Sequence, residues 1–176
     1  AVAVCAAAGI PVEKAAPPLA QFTGVARRFQ SVGFQNGVEV IDDFAHNPDK
    51  IVAAVAAART RTEGRILAVF QPHGYGPTRF LREALIETFA TSMQPDDVLW
   101  MPEIFFAGGT VTRDISAADL TREIKRRGRD ARFIEKRDDI PAAIAKAARS
   151  TDLVLVMGAR DPSLTEFCRA ILAALG

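Results

Sequence analysis

The chain contains two histidines, and each follows a short apolar run of the kind that forms a β-strand. His46 belongs to the segment DDFAHNP at residues 42–48, and His73 belongs to QPHGYGPTR at residues 71–79. Imidazole exchanges protons near neutral pH, so it can bind or activate a reacting group. A single loop histidine is more often solvated or bonded to the backbone, but two histidines at predicted strand ends favour a binding or catalytic site.

Other polar groups near the predicted strand ends have two interpretations each. Asp42 and Asp43 either end a strand or place a carboxylate against a hydroxyl or ammonium of a ligand. Arg27 and Arg28 stand at the start of the first predicted strand, where a solvated pair is favoured, although a guanidinium also suits a phosphate. The segment GARD at residues 158–161 follows the last predicted strand. The residue types indicate a polar site without fixing its ligand.

The strands that must carry these residues are predicted from six short apolar runs. The first two runs flank Gln35-Asn36-Gly37, where Asn-Gly supplies the positive φ that a tight hairpin requires. The later runs alternate with helical segments, as in a parallel sheet covered by helices. We therefore expect an α/β fold: a Rossmann-like, mostly parallel sheet flanked by helices and opened by a β-hairpin. The predicted strands are residues 28–34, 38–43, 65–70, 97–101, 131–134 and 152–157.

Helix signals fall between these strands, with Asn47 as a cap and Pro48 as a first helical residue. Ser163 and Glu166 predict a capping box for a last helix that starts near Pro162. In an open α/β sheet, ligands bind beyond the carboxyl ends of the strands, which is where both histidines are expected. The other predicted helices are residues 48–60, 79–92, 116–127 and 139–149, and the apolar face of the last helix repeats Leu164, Phe167, Cys168, Ile171 and Leu172.

Residues 1–22 predict a connector that precedes this sheet. A helix is expected to end at Gly9, and a second short helix within residues 10–22 is expected to be interrupted by Pro17 and Pro18. The first residues have the composition of a helix interior with no capping residue before them. We therefore expect the chain to be a piece of a longer one.

Composition narrows the class of protein. With 176 residues, 49% of them hydrophobic, the chain is long enough for one domain with a sizeable core. A net charge of +1 gives no broad attraction to nucleic acid or to an anionic membrane, and the basic cluster at 125–129 is expected at a helix terminus. No apolar run approaches the ~20 residues that span a bilayer. The two cysteines predict neither a disulfide framework nor a zinc site, which favours a cytoplasmic protein.

Three segments occur in order between residues 22 and 161: FTGVARRFQSVGFQNGVEVIDDFAHNPDKI, RILAVFQPHGYGPTRF and DLVLVMGARD. Together they resemble the C-terminal domain of the Mur ligase family, most of all the branch that joins L-alanine to UDP-N-acetylmuramate. The resemblance implies two parts. Residues 1–21 would be the end of the central-domain helix and a connector, and residues 22–176 would be the C-terminal, amino-acid-binding domain.

Such a resemblance implies an ATP-dependent carbon–nitrogen ligase of peptidoglycan precursor synthesis that works through an acyl phosphate. ATP and Mg²⁺ would be bound mainly by the central domain, and the partners would be UDP-N-acetylmuramate, an amino acid, and the N-terminal and central domains of the same chain. The sequence contains no G-x-x-x-x-G-K-[ST] motif for the ATP phosphates. We therefore expect the chain by itself to be inactive, and we expect no metal site within it.

The family roles can be carried over to matching positions. The resemblance implies that Arg28 and Asp43 contact the nucleotide, with Asn47 beside them, and that His46 faces the amino-acid site. The implied catalytic residues are Arg28, Asp43 and His46; the implied cofactor-binding residues are Arg28, Asp43 and Asn47; the implied substrate-binding residues are His46, His73, Tyr75, Arg79 and Arg160.

The chain departs from the pattern of its branch in the same loops. Gly74 and Pro77 stand where the L-alanine branch has arginines for the substrate carboxylate, and Arg160 stands where glycine is usual. Arg79 or Arg160 is a candidate to replace the lost contact. The departure leaves alternatives open: another amino acid or a recycled peptide as acceptor, or a non-catalytic binding module. The retained Pro-His-x-Tyr pattern makes the peptide-recycling branch the less favoured of these.

Overall fold

The computed structural model describes residues 1–22 and 24–176. Their six strands form one sheet in the order β1-β2-β6-β3-β4-β5, and only the β1–β2 pair is antiparallel. The prediction of a mostly parallel sheet opened by a hairpin is confirmed. The strands are β1 (Gln30–Gln35), β2 (Val38–Asp43), β3 (Ile66–Gln71), β4 (Val98–Met101), β5 (Asp130–Phe133) and β6 (Leu153–Gly158).

The hairpin turn has the predicted chemistry. Gln35 pairs with Val38, and the two residues between them, Asn36 and Gly37, have φ angles of 51° and 79°. A two-residue turn with positive φ at both positions matches the right-handed twist of the flanking strands. The turn sequence therefore sets the register at this end of the hairpin, and the pairing shifts by one residue between Ser31 and Gly33.

The start of β1 was predicted two residues too early. Arg27 and Phe29 have φ angles of 56° and 49°, so the backbone turns there instead of running as a strand. The Phe29 N–H donates to the Asp43 carboxylate over 2.7 Å, and the Phe44 N–H donates to the Arg27 carbonyl over 2.9 Å. These tertiary hydrogen bonds stabilise a conformation that non-glycine residues rarely adopt.

Helices cover both faces of the sheet, as the strand–helix alternation predicts. One core lies under α3, α5 and α6 and includes Phe89, and the other lies under α7 and α8 and includes the fully buried Trp100. The helices are α1 (Val2–Ala7), α2 (Val12–Leu19), α3 (Pro48–Arg59), α4 (Tyr75–Phe80), α5 (Arg82–Ser92), α6 (Ala117–Arg126), α7 (Ile140–Ala147) and α8 (Leu164–Ala174), with a 3₁₀ turn at Arg137–Asp139.

The helix predicted at residues 79–92 is two helices. Helix α4 starts at Tyr75, directly after Gly74 at φ 71°, and the chain changes direction at Leu81, where ψ is 3°. Leu81 packs against the core beneath α5. No glycine or proline occupies the break, so tertiary packing and not a local breaker residue separates the two helices.

The predicted capping box at the start of α8 does not form. The Ser163 side chain makes no cap hydrogen bond, because its N–H and Oγ both donate to Asp161, over 2.9 and 2.6 Å. A capping box forms instead at α6, between Ser116 and Asp119. The predicted cap of α3 is confirmed, since Asn47 Oδ1 accepts the Lys50 N–H over 3.1 Å.

The first two helices differ from the rest because neither contains a buried residue. Pro17 and Pro18 were expected to interrupt α2, but the helix continues to Leu19. Both prolines lack the N–H that would donate to the preceding turn, but their fixed φ is compatible with a helix. No helix among the described residues combines the length and apolar character needed to cross a membrane.

Candidate functional site

The carboxyl ends of β2, β6 and β3 lie side by side. Asp43 is in register with Met157, and Gln71 with Gly158. The three loops that follow these strands therefore leave the sheet at one edge, although β6 comes last in the sequence. The three segments that follow predicted strands, at residues 42–48, 71–79 and 158–161, therefore lie at the same edge.

The two histidines meet at this edge. The ring centroids of His46 and His73 are 6.0 Å apart, and His46 is 5.5 Å from the Phe44 ring. His46 Nδ1 lies 2.8 Å from the Phe44 carbonyl oxygen. Because a carbonyl only accepts, Nδ1 carries the proton, and Nε2 of the neutral ring is the free acceptor. Both rings can therefore present nitrogen atoms to one ligand.

His73 stays neutral more readily than an ordinary histidine. Burial lowers the pKa of His73, and the nearby charges of His46 and Arg160 lower it further. Hydrogen bonds to a neighbouring segment hold the His73 loop: the Phe105 N–H donates to Pro72, and the Gly74 N–H donates to Phe105, each over 2.8 Å. A neutral imidazole in a fixed loop can accept a proton or a hydrogen bond at neutral pH.

A small cavity of about 60 Å³ lies beside the two histidines. Its walls are mostly apolar, so a small group bound there would be partly shielded from water. The lining residues are His46, Phe70, Pro72, His73, Pro77, Thr78, Leu81 and Leu85.

A second, larger cleft of about 270 Å³ contains the predicted nucleotide contacts Arg28 and Asp43. Lys50 joins them, and Ala53, Ala54 and Ala57 of α3 form an apolar wall. Two cations beside a flat apolar surface suit a phosphate and the less polar part of a nucleotide. Lys50 was missed by sequence reasoning; its position three residues after the cap Asn47 was the available signal.

Asp43 shapes this cleft through its backbone contacts. One carboxylate oxygen accepts the Ala45 N–H and the other accepts the Phe29 N–H, each over 2.7 Å. The adjacent Arg28 is exposed and stacks over Phe44, with its guanidinium carbon 5.1 Å from the ring centroid. Asp43 therefore fixes the turn from which Arg28 projects.

The expectation of a solvated arginine pair is wrong for Arg27. Its Nε lies 3.3 Å from the fully buried carboxylate of Asp42, and its other nitrogens donate to the carbonyls of Gly158 and Asp161 over 2.9 and 3.1 Å. Thr165 Oγ1 donates to the same Asp42 carboxylate over 2.8 Å. Arg27 ties the turn before β1 to the loop after β6. Residue type alone did not separate it from its neighbour Arg28.

The loop after β6 is held by a second buried carboxylate. Burial opposes ionisation of Asp161, but hydrogen bonds from Ser163 and the ion pair with Arg137 outweigh it, and the pKa of Asp161 is lowered. Arg160 precedes this anchor, is exposed, and has a φ of 62°. The anchor holds Arg160 near His73, on the histidine side of the edge.

Tyr75 and Arg79 form a third group, beyond the two histidines. The Tyr75 ring is buried and meets Phe106 at a centroid distance of 5.7 Å. Arg79 forms an ion pair with Asp114 and donates to the Thr112 carbonyl over 3.1 Å. The predicted substrate residues therefore lie in two neighbouring groups: His46, His73 and Arg160 in one, Tyr75 and Arg79 in the other.

In the part of the chain that the structure describes, no three His, Cys, Asp or Glu side chains are arranged to hold a metal ion. The carboxylates at the strand-end edge are engaged by protein donors. Asp42 binds Arg27 and Thr165, Asp43 binds two backbone N–H groups, and Asp161 binds Arg137 and Ser163. These residues do not fit a Mg²⁺ site.

Fold and site together define a doubly wound α/β ligand-binding domain whose polar groups come from loops at one end of the parallel strands. The chain belongs to the Mur ligase family, because the family model described as "Mur ligase, glutamate ligase domain" matches residues 27–160.

The similarity extends over nearly the whole chain. The chain is 37% identical to the UDP-N-acetylmuramate–L-alanine ligase of Myxococcus xanthus, and the match covers 96% of this chain and 36% of that protein. The enzyme of the same name from Agrobacterium fabrum is 38% identical, with 99% of this chain and 36% of that protein covered. The crystal structure of UDP-N-acetylmuramate-alanine ligase from Thermotoga maritima superimposes with a TM-score of 0.74 at 25% identity, covering 98% of this chain and 35% of that chain. This chain thus spans about a third of the length of the proteins it matches.

Proposed function

We propose that this chain is the acceptor-binding domain of an ATP-dependent ligase that joins L-alanine to UDP-N-acetylmuramate. The observation that carries the proposal is the adjacency of two clefts at one sheet edge. A cationic cleft with Arg28 and Lys50 lies at the same edge as a histidine pair in which burial lowers the pKa of His73. The names of the relatives in Myxococcus xanthus and Agrobacterium fabrum support the same substrates.

The reaction would proceed in two steps. ATP transfers its terminal phosphoryl group to the substrate carboxylate, which gives an acyl phosphate and ADP. The amine of the amino acid then attacks the acyl carbon, phosphate leaves, and the new amide nitrogen loses a proton. Positioning and charge stabilisation provide most of the catalysis in such a transfer.

The residues of the two clefts have roles in this scheme. Arg28 and Lys50 would contact the nucleotide phosphates, while Asp43 and the cap Asn47 hold the backbone that carries them. His73 would accept a proton or a hydrogen bond from the attacking amine, and Nε2 of His46 would orient it. Arg28 and His46 thereby keep the catalytic roles implied by the resemblance, whereas Asp43 acts as a positioning residue.

The rest of the enzyme would come from other domains of a longer chain. We propose that residues 1–21 are the end of a central-domain helix and a connector, and that residues 22–176 are the C-terminal domain. The helices α1 and α2 bury no residue, which is consistent with contacts made elsewhere. The phosphate loop and the Mg²⁺ ligands would lie in the central domain. The carboxylates at the strand-end edge, those of Asp42, Asp43 and Asp161, are already engaged by protein donors. The enzyme would work in the cytoplasm, where ATP is available.

Phosphate release by the full-length protein tests this function. ATP and UDP-N-acetylmuramate are supplied with L-alanine, glycine, L-serine or a murein tripeptide in separate reactions. Turnover that depends on L-alanine is the expected result. Turnover with a different acceptor would identify that compound as the substrate in place of L-alanine. No turnover with any of them would favour a non-catalytic binding module.

One observation favours a different acceptor as the second candidate. Within the loop from His73 to Arg79 the cation is Arg79, and Asp114 already pairs with it. Gly74 and Pro77 supply no charge. The acceptor carboxylate therefore requires a cation from outside this loop. A cation at a different position would hold the carboxylate elsewhere, which can alter which acceptor fits.

A further inference from the structure

We infer that Arg113 binds the carboxylate of the acceptor. The inference rests on the proposed function, since it names the residue that would hold one end of the amino acid or peptide to be joined. Arg113 lies in the segment between β4 and α6, outside the three loops from which the sequence predicted site residues.

Arg113 is held on an aromatic platform. Its guanidinium carbon is 5.6 Å from the centroid of the Tyr75 ring and 5.2 Å from that of Phe106. The two rings themselves meet edge to face, with their centroids 5.7 Å apart. A guanidinium stacked on aromatic rings keeps its N–H donors in the plane of the group, free for a planar anion. The two rings therefore orient the N–H donors of the Arg113 guanidinium, its donor fork, before a ligand binds.

The charge of Arg113 has no protein partner in the described chain. Arg79 pairs with Asp114, Arg27 with Asp42, and Arg137 with Asp161. No ion pair or hydrogen bond joins the Arg113 side chain to any residue that the structure describes. A planar, oriented and uncompensated guanidinium is the group best suited to a bidentate contact with a carboxylate.

The cavity around Arg113 has room for that ligand. It is an open cleft of about 380 Å³, and its other lining residues are Tyr75, Glu103, Asp114, Ile115, Ser116 and Asp119. Each of its three carboxylates is held by a donor other than Arg113. Asp114 pairs with Arg79, and Asp119 accepts from the Ser116 N–H and pairs with Arg122. Glu103 accepts from the backbone of Ile104 and Ala117 and from the Ser116 hydroxyl. None of these contacts uses the Arg113 guanidinium, so its donors remain available to an anion.

Tyr75 links this cavity to the histidine pair. It lies two residues after His73, whose loop is bonded to Phe105, the neighbour of Phe106. An acceptor with its carboxylate on Arg113 would lie beside the Tyr75 ring, next to the segment that also carries His73.

Steady-state kinetics of the full-length protein tests the assignment. Arg113→Ala should raise KM for the acceptor ~10–100-fold, the loss expected for a charge-assisted hydrogen-bonded contact, and leave KM for ATP and for UDP-N-acetylmuramate unchanged. Arg113→Lys keeps the charge but loses the fork, so it should recover only part of the loss. Arg126→Ala, an exposed arginine of α6 paired with Glu123, is the matched control and should change none of these constants.

The acceptor amide, which lacks the carboxylate, separates this role from a structural one. The wild-type protein should discriminate against the amide, and Arg113→Ala should lose that discrimination. Unchanged acceptor KM in Arg113→Ala, or a KM defect found in Arg160→Ala but not in Arg113→Ala, overturns the assignment while the proposed function stands.

A binding measurement decides the assignment even without turnover. Tyr75 is the one tyrosine of the 176-residue chain, so selective tyrosine labelling gives a single set of ring NMR signals. Titration with the acceptor should shift these signals in the wild-type chain and not in Arg113→Ala. Absence of a shift in the wild-type chain overturns the inference, whereas a shift without any turnover of the full-length protein contradicts only the proposed ligase function.

Discussion

Replacement of Arg27 by alanine should destabilise the fold far more than replacement of its neighbour Arg28. Arg27 is the cation beside the fully buried Asp42, and it also donates to the carbonyls of Gly158 and Asp161. Removal of one partner from a buried ion pair costs ~3–5 kcal/mol, because the remaining charge stays buried without compensation. That loss is a large part of the ~5–15 kcal/mol stability of a typical domain. Arg28→Ala should cost under ~1 kcal/mol, since only an exposed contact with Phe44 is lost.

Urea unfolding of the 176-residue chain, followed by the fluorescence of Trp100, measures both changes. Trp100 is the one tryptophan and is fully buried, so its emission reports exposure of the core. The double variant Arg27→Ala/Asp42→Asn supplies the internal check. It should be more stable than Arg27→Ala by ~1–2 kcal/mol, because the uncompensated charge is gone.

Equal effects of the two arginine substitutions would refute this reasoning, as would a loss below ~1 kcal/mol for Arg27→Ala. A small loss would mean that Asp42 finds another partner or that water reaches it. The slope of the unfolding free energy against urea must stay the same among the variants, since a changed slope reports an altered unfolded or native state instead of a lost contact.

Two further predictions concern the acid side of the pH range and the hairpin. Because burial, His46 and Arg160 lower the pKa of His73, the unfolded chain takes up the His73 proton at a higher pH than the folded chain does. The contribution of His73 to stability is therefore present above the ordinary histidine pKa and is lost as the pH falls from that value through the lower pKa of the folded state. An NMR titration of His73 should show a midpoint that moves upward in Arg160→Ala, because a nearby positive charge is removed. An unmoved midpoint would contradict the proximity of Arg160. Gly37→Ala should lower the free energy of unfolding in urea by ~1–2 kcal/mol. The φ of Gly37 is 79°, and the added Cβ would lie 2.6 Å from Ser150 Oγ. Gly76→Ala is the control: open space surrounds Gly76, so the unfolding free energy should not fall.

The sequence predicted the sheet well because each strand is an apolar run bounded by polar or turn residues. The predicted bounds of β3, β4, β5 and β6 differ from the observed ones by one residue. The errors occur where tertiary contacts override local preference. Asp43 stabilises positive φ angles at Arg27 and Phe29, and core packing turns the chain at Leu81 without a breaker residue.

The composition of the site was less predictable than its position. The rule that ligands bind at the carboxyl ends of parallel strands located the edge, and both histidines lie there. Which side chains become neighbours depends on the strand order β2-β6-β3, which brings Arg160 to His73 across a large separation in sequence. Arg27 and Arg28 are adjacent in sequence, but Arg27 pairs with the buried carboxylate of Asp42 and Arg28 is exposed in the cationic cleft.

The backbone of the His73 loop explains why its missing positive charge must be supplied from elsewhere. Gly74 has a φ of 71°, and a Cβ at this position would lie 3.2 Å from Cδ of Pro77. An arginine introduced at residue 74 would therefore be strained by its own backbone and crowded by the proline ring. Gly74 and Pro77 are a matched pair, so a single substitution cannot restore a charge at residue 74 without strain. This constraint favours a cation carried by a different segment, and Arg113 reaches the face of Tyr75 from the chain between β4 and α6.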